Sequence, residues 1–246
     1  GMVANPHKRS IALNLKSDAA RDIVHKLAAD ADVFLESFRP GVAVRLGVGF
    51  DDIQKTNPNI VYGSVSGFGQ TGPYAKRPGT DTVLQSFSGL VSVNKGNDGI
   101  PHRVGMLVPD TITGVYAHQA VAAALAGRGD EAEGIHLDLS LAQAMGAFLA
   151  PKAIERVLAG GEPRLLNAPA GSYETGDGGY IGLALVKEEQ YARICDAMGL
   201  DDVRDDPRYA DFELRAKNFD TLKPVFEARF KEKTTDEWVQ IMRGSD

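Results

Sequence analysis

The stretch RVGMLVPDTITGVYAH, residues 103–118, places Asp110 where an apolar run ends and a helical pattern begins. The alanine-rich continuation to residue 126 predicts a long helix. A carboxylate at a helix start faces unpaired backbone N–H groups and the positive end of the helix dipole, which favour its ionised form. The apolar residues 106–109 limit its hydration. The pattern fits a carboxylate nucleophile, and it equally fits an ordinary helix cap.

Outward from this helix, apolar residues recur with a period that alternates between two and about 3.6 residues. This is typical of strands and helices that alternate along an α/β chain. The predicted strands cover residues 10–15, 33–36, 60–65 and 135–139. Helices are predicted to begin at Ser17, Asp51, Thr80 and Ser140. The pattern therefore predicts an α/β fold around a sheet.

A change in composition divides the chain. Residues 160–179 are rich in glycine and proline, which indicates a linker and a hairpin. The helices predicted beyond residue 188 carry more charge than the earlier ones. We place the domain boundary between residues 165 and 166, giving a large domain with the candidate nucleophile over 1–165 and a small α+β domain over 166–246.

Composition excludes several classes of function. The net charge is −6, from 27 basic and 33 acidic residues among 246, so no broad basic face is available for nucleic acid. A single cysteine, Cys195, rules out an internal disulfide and a cysteine-built zinc site, and the five histidines lack metal-like pairing. No apolar run approaches the ~20 residues that span a membrane. We expect a cytoplasmic protein with a small-molecule partner and no metal, nucleic acid or membrane.

The segment GFGQTG, residues 67–72, follows a predicted strand and satisfies the dinucleotide-binding pattern G-x-G-x-x-G. Pro73 and Tyr74 come next, so no amphipathic helix begins there to direct its dipole at a pyrophosphate. We therefore interpret the segment as a glycine-shaped active-site loop, a lid or wall, and keep nucleotide binding as the alternative.

Taken together, the motifs resemble the family III CoA-transferases, which include formyl-CoA transferase, carnitine CoA-transferase and the α-methylacyl-CoA racemases. The resemblance rests on ESFRPG (36–41), SVSGFGQTGPY (64–74), PGTD (78–81) and AGSYETGDG (170–178), in addition to Asp110. It implies a Rossmann-like open sheet, a long connecting helix and a smaller domain. It also implies a cytoplasmic transferase that uses CoA as a substrate and has no permanently bound cofactor.

The resemblance assigns roles to particular residues. The aspartate that matches Asp110 attacks an acyl-CoA thioester and forms a mixed anhydride. The released thiolate then forms an aspartyl-CoA thioester, and the acceptor acid completes the exchange. The positions expected to bind CoA or substrate, or to shape that site, are Ser37, Phe38, Arg45, Gly67, Gly69, Thr80 and Asp81. Asp81 is expected to cap a helix beside the site.

Two departures separate this chain from subfamilies. Racemases carry a histidine base where this chain has Thr80 and a glutamate where it has Lys187. Threonine does not abstract a proton near neutral pH, so acyl transfer is favoured over the first alternative, an acyl-CoA racemase or epimerase. The second alternative is a non-catalytic acyl-CoA-binding subunit. The glycine run of formyl-CoA transferase is replaced by residues 165–169, which argues against oxalate as the acceptor.

Relatives in this family begin with about 60 further residues and continue beyond the helix that contains Trp238, so the resemblance predicts that this chain is truncated at both ends and its large domain incomplete. It also predicts a homodimer whose two chains interlock.

Overall fold

A computed structural model describes residues 5–95, 99–129, 133–161 and 167–243. The chain divides into two compact units, Gly1–Ala153 and Ile154–Asp246. The boundary predicted between residues 165 and 166 lies outside the described residues.

The first unit is organised by a three-stranded parallel sheet in the order β1–β2–β3. Its strands are β1 (Val33–Glu36), β2 (Val61–Ser66) and β3 (Ile135–Ser140). The central strand is almost wholly buried, since both of its faces are covered. The predicted α/β class is confirmed.

In the described part of the chain, seven helices accompany the sheet. They are α1 (Asp18–Ala29), α2 (Val42–Arg45), α3 (Phe50–Thr56), α4 (Asp81–Phe87), α5 (Leu90–Val93), α6 (Val108–Gly127) and α7 (Leu141–Leu158). The first three bury Ala28, Ala43 and Ile53 against Tyr62 of β2. The helix α6 contacts β2 and β3, and α7 leaves β3 directly. The predicted long helices after Asp110 and after Ser140 are both confirmed.

Two local predictions were wrong. Residues 10–15 form no strand, because alternation alone does not make one and no described strand pairs with them; Ile11 is exposed. The helix predicted to begin at Asp51 begins at Phe50, since the Asp52 carboxylate already accepts a hydrogen bond from the Gly49 N–H at 3.3 Å. Asp110, by contrast, lies in the first turn of α6 as its third residue, in agreement with the predicted place at a helix start.

The second unit pairs an antiparallel hairpin with helices, as predicted for an α+β domain. The hairpin joins β4 (Gly171–Glu174) and β5 (Tyr180–Leu183). The helices are α8 (Glu188–Met198), α9 (Asp201–Arg204), a 3₁₀ turn (Pro207–Tyr209), α10 (Phe212–Lys217), α11 (Phe219–Phe230) and α12 (Thr235–Arg243). Their core contains Tyr173, Phe226, Phe230 and Trp238. Among the described helices, none has the length and hydropathy needed to cross a bilayer.

Candidate functional site

A cavity of about 250 Å³ lies at the carboxyl ends of β1 and β2, and Asp110 is part of its wall. Its other walls are formed by the loop after β1, the end of β2, the loop before α4, and Leu141 at the start of α7. The lining residues are Ser37, Phe38, Arg39, Pro40, Val65, Ser66, Gly67, Ala75, Arg77, Pro78, Gly79, Thr80, Asp110 and Leu141. Parallel strands bring their carboxyl ends to one edge of a sheet, where α/β proteins commonly bind ligands.

Asp110 projects from the first turn of α6, next to Pro109, which is buried. Proline suits the first turn of a helix because the backbone N–H that it lacks would have no hydrogen-bond partner within the helix there. Asp110 itself is exposed and makes no ion pair within the described residues. Its carboxylate is therefore available to a molecule in the cavity.

Asp81 supports the start of this helix. It is the first residue of α4, only 5% exposed, and its Oδ2 accepts a hydrogen bond from the Asp110 backbone N–H at 3.3 Å. Asp81 therefore provides a hydrogen-bond acceptor for one of the N–H groups that lack an intrahelical partner at the start of α6, although Asp81 itself belongs to α4. The predicted capping contact is present, and it joins Asp81 directly to the candidate nucleophile.

The pKa of Asp110 is raised above its ordinary value. The larger cause is burial, since protein atoms around the carboxyl replace part of its water; the smaller is the negative charge of Asp81. The sequence predicted that the helix terminus would favour the ionised form. The sequence also predicted that the apolar flank would limit hydration, and the raised pKa has the direction of that second effect.

Glycines make the cavity wall possible. A Cβ atom on Gly67 would lie 2.6 Å from the Gly79 Cα, and a Cβ on Gly79 would lie equally close to the Gly67 Cα. Two backbone segments therefore meet at a distance that no other residue permits. The Gly67 carbonyl also accepts a hydrogen bond from the Ala142 N–H at 3.1 Å, which ties this wall to α7.

Gly69 does not line the cavity but shapes the loop that follows Gly67. It has a φ of +91°, and its N–H donates to Ser66 Oγ at 2.9 Å. The next N–H, of Gln70, donates to both Asp138 carboxylate oxygens at 3.0 and 3.1 Å. No helix begins at this loop, and Gly67 is the residue of 67–72 that lines the cavity.

The other predicted residues divide into two groups. The structure brings Ser37, Phe38 and Thr80 into the cavity wall with Gly67 and Asp110. Arg45 lies outside it, exposed at the end of α2. Lys187, the departure from racemases, is the residue before α8 in the second unit and lies 3.9 Å from a Glu189 oxygen.

Sequence reasoning missed two cavity residues, Arg39 and Arg77. The Arg77 guanidinium lies over the Tyr74 ring, 4.5 Å from its centroid, and neither arginine forms an ion pair within the described residues. Arg39 lies inside the motif 36–41 and Arg77 directly before the motif 78–81, but their places in the sequence did not show that they line the cavity of Asp110. Their positive charge suits an anionic ligand.

Metal chemistry receives no support from the described residues, which contain no group of three or more His, Cys, Asp or Glu side chains able to hold a metal ion.

Comparison with known proteins gives one consistent result. The model of CoA-transferase family III matches residues 2–246. A succinyl-CoA:glutarate CoA-transferase of Mus musculus is 34% identical over 98% of this chain and 56% of its own length. An acetyl-CoA:oxalate CoA-transferase of Acetobacter aceti is 33% identical over 97% of this chain and 63% of its own length. The chain therefore spans less than two thirds of these relatives.

Solved structures agree with the sequence relatives. A CAIB/BAIF family protein from Brucella suis superposes with a TM-score of 0.83 at 29% identity, covering 96% of this chain and 64% of that one. Rv3272 from Mycobacterium tuberculosis superposes with a TM-score of 0.84 at 28% identity, covering 98% of this chain and 64% of that one.

Proposed function

Since this chain belongs to CoA-transferase family III, we propose that its complete gene product transfers CoA between an acyl-CoA thioester and a carboxylic acid, with Asp110 as the nucleophile. The observation that carries the proposal is the position of Asp110: it lines a cavity at the carboxyl edge of the sheet, and its carboxylate forms no ion pair with any residue that the structure describes. A carboxylate held in this way is a usable nucleophile.

In the first half-reaction, an Asp110 carboxylate oxygen attacks the thioester carbonyl carbon, the carbon–sulfur bond breaks, and CoA leaves as a thiolate. The product is a mixed anhydride of the acyl group and Asp110. The thiolate then attacks the Asp110 carbonyl carbon, which releases the donor acid and leaves an aspartyl-CoA thioester. This sequence is covalent catalysis, which divides one difficult transfer into easier steps.

In the second half-reaction, the acceptor carboxylate attacks the aspartyl-CoA carbonyl carbon and expels the thiolate, forming a second anhydride. Thiolate attack on the acceptor carbonyl carbon of this anhydride forms the new CoA thioester. Asp110 leaves as a carboxylate, so the enzyme is restored without net gain or loss of a proton.

The cavity supplies what this chemistry requires. Removing water around Asp110 raises its pKa and makes its carboxylate more basic and hence a better nucleophile. Arg39 and Arg77 provide positive charge beside the carboxylates and the thiolate that take part. The close contact of Gly67 with Gly79 forms a wall that limits the access of water to the anhydrides.

The binding roles expected for the other residues remain part of the proposal. Ser37, Phe38 and Thr80 are expected to contact the acyl-CoA in the cavity, and Gly67 and Gly69 to shape the loop beside it. Arg45, outside the cavity, is expected to reach the phosphates of the extended CoA molecule. Asp81 is expected to act through its bond to Asp110.

We propose a dicarboxylic acid as the acceptor. Relatives are named for glutarate and for oxalate, and the same cavity as that of Asp110 is lined by two arginines that form no ion pair with the described part of the chain. One carboxylate of such an acid would react while the other binds a guanidinium. The oxalate-named relative is 33% identical, so oxalate is to be tested as an acceptor together with glutarate, although the glycine run of formyl-CoA transferase is missing here.

A homodimer in the cytoplasm completes the proposal. The helix α6 is rich in alanine and other apolar residues, yet in the single chain its buried residues are only Pro109, Thr113, Ala117 and Ala124. A further, mainly apolar cavity of about 410 Å³ lies beside α6 and α7. Apolar surface of this kind supports contact with other protein surface, either a second copy or the remainder of a longer chain.

The experiment is to mix the complete gene product with acyl-CoA, trap with hydroxylamine or borohydride, and measure the mass of the Asp110 peptide. We expect the trapped product in the wild type and its loss in Asp110→Ala. The matched control is Asp202→Ala, which also removes an exposed acid from a helical first turn, in the second unit. Survival of the adduct in Asp110→Ala removes Asp110 from the role, and absence of any transfer in the wild type overturns the proposed activity.

A further inference from the structure

Gln85 is buried beside the candidate nucleophile without lining its cavity. It lies on α4, one turn after Asp81, and its side chain is fully inaccessible to solvent. Burying an amide is unfavourable unless its donors and acceptor find partners. The partners of Gln85 therefore indicate what the residue does.

The side-chain amide of Gln85 joins α4 to the segment that leads into α6. Its Oε1 accepts a hydrogen bond from the Val104 N–H at 2.9 Å, and its Nε2 donates to the Met106 carbonyl at 3.0 Å and, more weakly, to the Val104 carbonyl at 3.3 Å. Because the Val104 N–H only donates, it fixes which end of the amide is the oxygen. Gln85 therefore holds the backbone four to six residues before Asp110.

The same Nε2 also donates to Asp81 Oδ1 at 2.7 Å. The other oxygen of that carboxylate, Oδ2, accepts the Asp110 backbone N–H. One amide thus restrains the nucleophile by two routes: through the backbone at 104–106 and through the orientation of the Asp81 carboxylate.

We propose that Gln85 is a positioning residue for Asp110, holding the start of α6 so that the Asp110 carboxylate stays directed into the cavity. The inference rests on the proposed function, because it matters only if Asp110 is the nucleophile. A displacement of about 1 Å at a reacting group can reduce a rate by about 100-fold. Loss of the Gln85 hydrogen bonds is expected to act in that way and to leave substrate binding largely intact.

The decisive variant is Gln85→Met in the complete gene product, because methionine is close to glutamine in size and removes all four hydrogen bonds. We expect kcat to fall by about 100-fold with little change in the KM for acyl-CoA, since the lost interaction acts on the reacting group. Gln190→Met is the matched control: Gln190 accepts the backbone N–H groups of Val186 and Lys187 before α8, in the other unit. It should change thermal stability and leave kcat unchanged.

A second variant, Gln85→Glu, tests the positioning role if Gln85→Met does not fold. Its ionised carboxylate can still accept a hydrogen bond from the Val104 N–H. At the places where the glutamine amide donated hydrogen bonds, however, it is repelled by the Asp81 carboxylate and by two backbone carbonyls. Its protonated form restores one donor. We therefore expect a large loss of kcat at mildly alkaline pH that recovers, relative to the wild type at the same pH, as the solution becomes mildly acidic. The ionisable groups in this network are Asp81 and, through its backbone N–H, Asp110.

The outcomes separate this inference from the proposed function. If the wild type forms no trapped Asp110 adduct, the proposed function fails. If the wild type forms the adduct and folded Gln85→Met keeps the wild-type kcat, the positioning role of Gln85 is wrong and Asp110 remains the proposed nucleophile. If methionine prevents folding, a wild-type kcat in Gln85→Glu at alkaline pH overturns the inference, and a pH-dependent recovery supports it.

Discussion

The Asp81 carboxylate accepts the backbone N–H of Asp110 at 3.3 Å, although 29 positions separate the two residues in sequence. This contact places a negative charge beside the candidate nucleophile and contributes to its raised pKa. Asp81 therefore has two effects on Asp110: it fixes the backbone and it makes the carboxylate harder to ionise.

Asp81→Asn removes the charge, while the asparagine oxygen keeps the hydrogen bond to the Asp110 N–H. Its amide nitrogen then faces Gln85 Nε2, so the bond to Gln85 is lost. The nucleophile must be deprotonated, so its raised pKa moves the onset of activity to higher pH. Removing the charge should lower the pKa of Asp110 and move the acidic limb of the kcat/KM profile to lower pH. Asp202→Asn, in the second unit, should leave the limb in place. An unmoved limb in Asp81→Asn contradicts the assignment of that limb to Asp110.

Asp110→Asn should raise the melting temperature while abolishing transfer. A carboxyl whose pKa is higher in the folded state than in the unfolded state favours unfolding once both forms are ionised. The penalty is absent below the unfolded-state pKa, sets in as pH rises through the folded-state pKa, and is complete above it. The stabilisation by asparagine should therefore appear at neutral pH and disappear in acid, as thermal melts at both pH values will show. A variant that is less stable than the wild type at neutral pH contradicts this prediction.

Gly67→Ala should damage the cavity wall, because the new methyl group would lie 2.6 Å from the Gly79 Cα. Overpacking of this kind costs about 1–3 kcal/mol and here displaces backbone at the site. We expect lower stability in urea unfolding together with a marked fall in kcat. Gly146→Ala, in α7 with no atom within 4 Å of the added Cβ, should instead stabilise the helix by about 0.5–1 kcal/mol. Equal behaviour of the two variants would argue against a wall closed by Gly67.

Arg39→Gln and Arg77→Gln should each weaken the binding of a dicarboxylate acceptor, because both guanidinium groups line the Asp110 cavity. A hydrogen bond to a charged group contributes about 1.5–3 kcal/mol, so the acceptor KM should rise by roughly tenfold or more. Arg243→Gln, at the exposed end of α12, is the control. If neither cavity variant changes the preference for a dicarboxylate over a monocarboxylate, the acceptor proposal is wrong.

Arg215→Met should destabilise the second unit. The Arg215 side chain is 1% exposed, donates to the Ala168 carbonyl at 3.0 Å and the Tyr209 carbonyl at 2.9 Å, and pairs with Glu188. Its removal leaves buried carbonyls without this donor, a loss of about 1–3 kcal/mol in urea unfolding. Arg193→Met breaks only an exposed contact to Glu189 and should cost less than about 1 kcal/mol. Similar losses in both variants would contradict a structural role specific to Arg215.

The sequence by itself determined the class of fold and the identity of the candidate nucleophile. Periods of two and about 3.6 are local properties of a chain, so β1, β2, β3, α6 and α7 could be predicted from them. Motif order predicted the family that the comparisons then showed. The same local reasoning failed at residues 10–15, because a strand also requires a neighbour and the described chain pairs none with them.

Only the tertiary structure decided how the site is assembled. It brought Asp81 and Gln85 to the start of α6 and turned Arg39 and Arg77 into the cavity of Asp110. It also decided that limited hydration and the charge of Asp81 raise the pKa of Asp110. The physical reason is common to these findings: hydrogen bonding, burial and charge act through space at a few ångströms, and the sequence records only which residues exist and in what order.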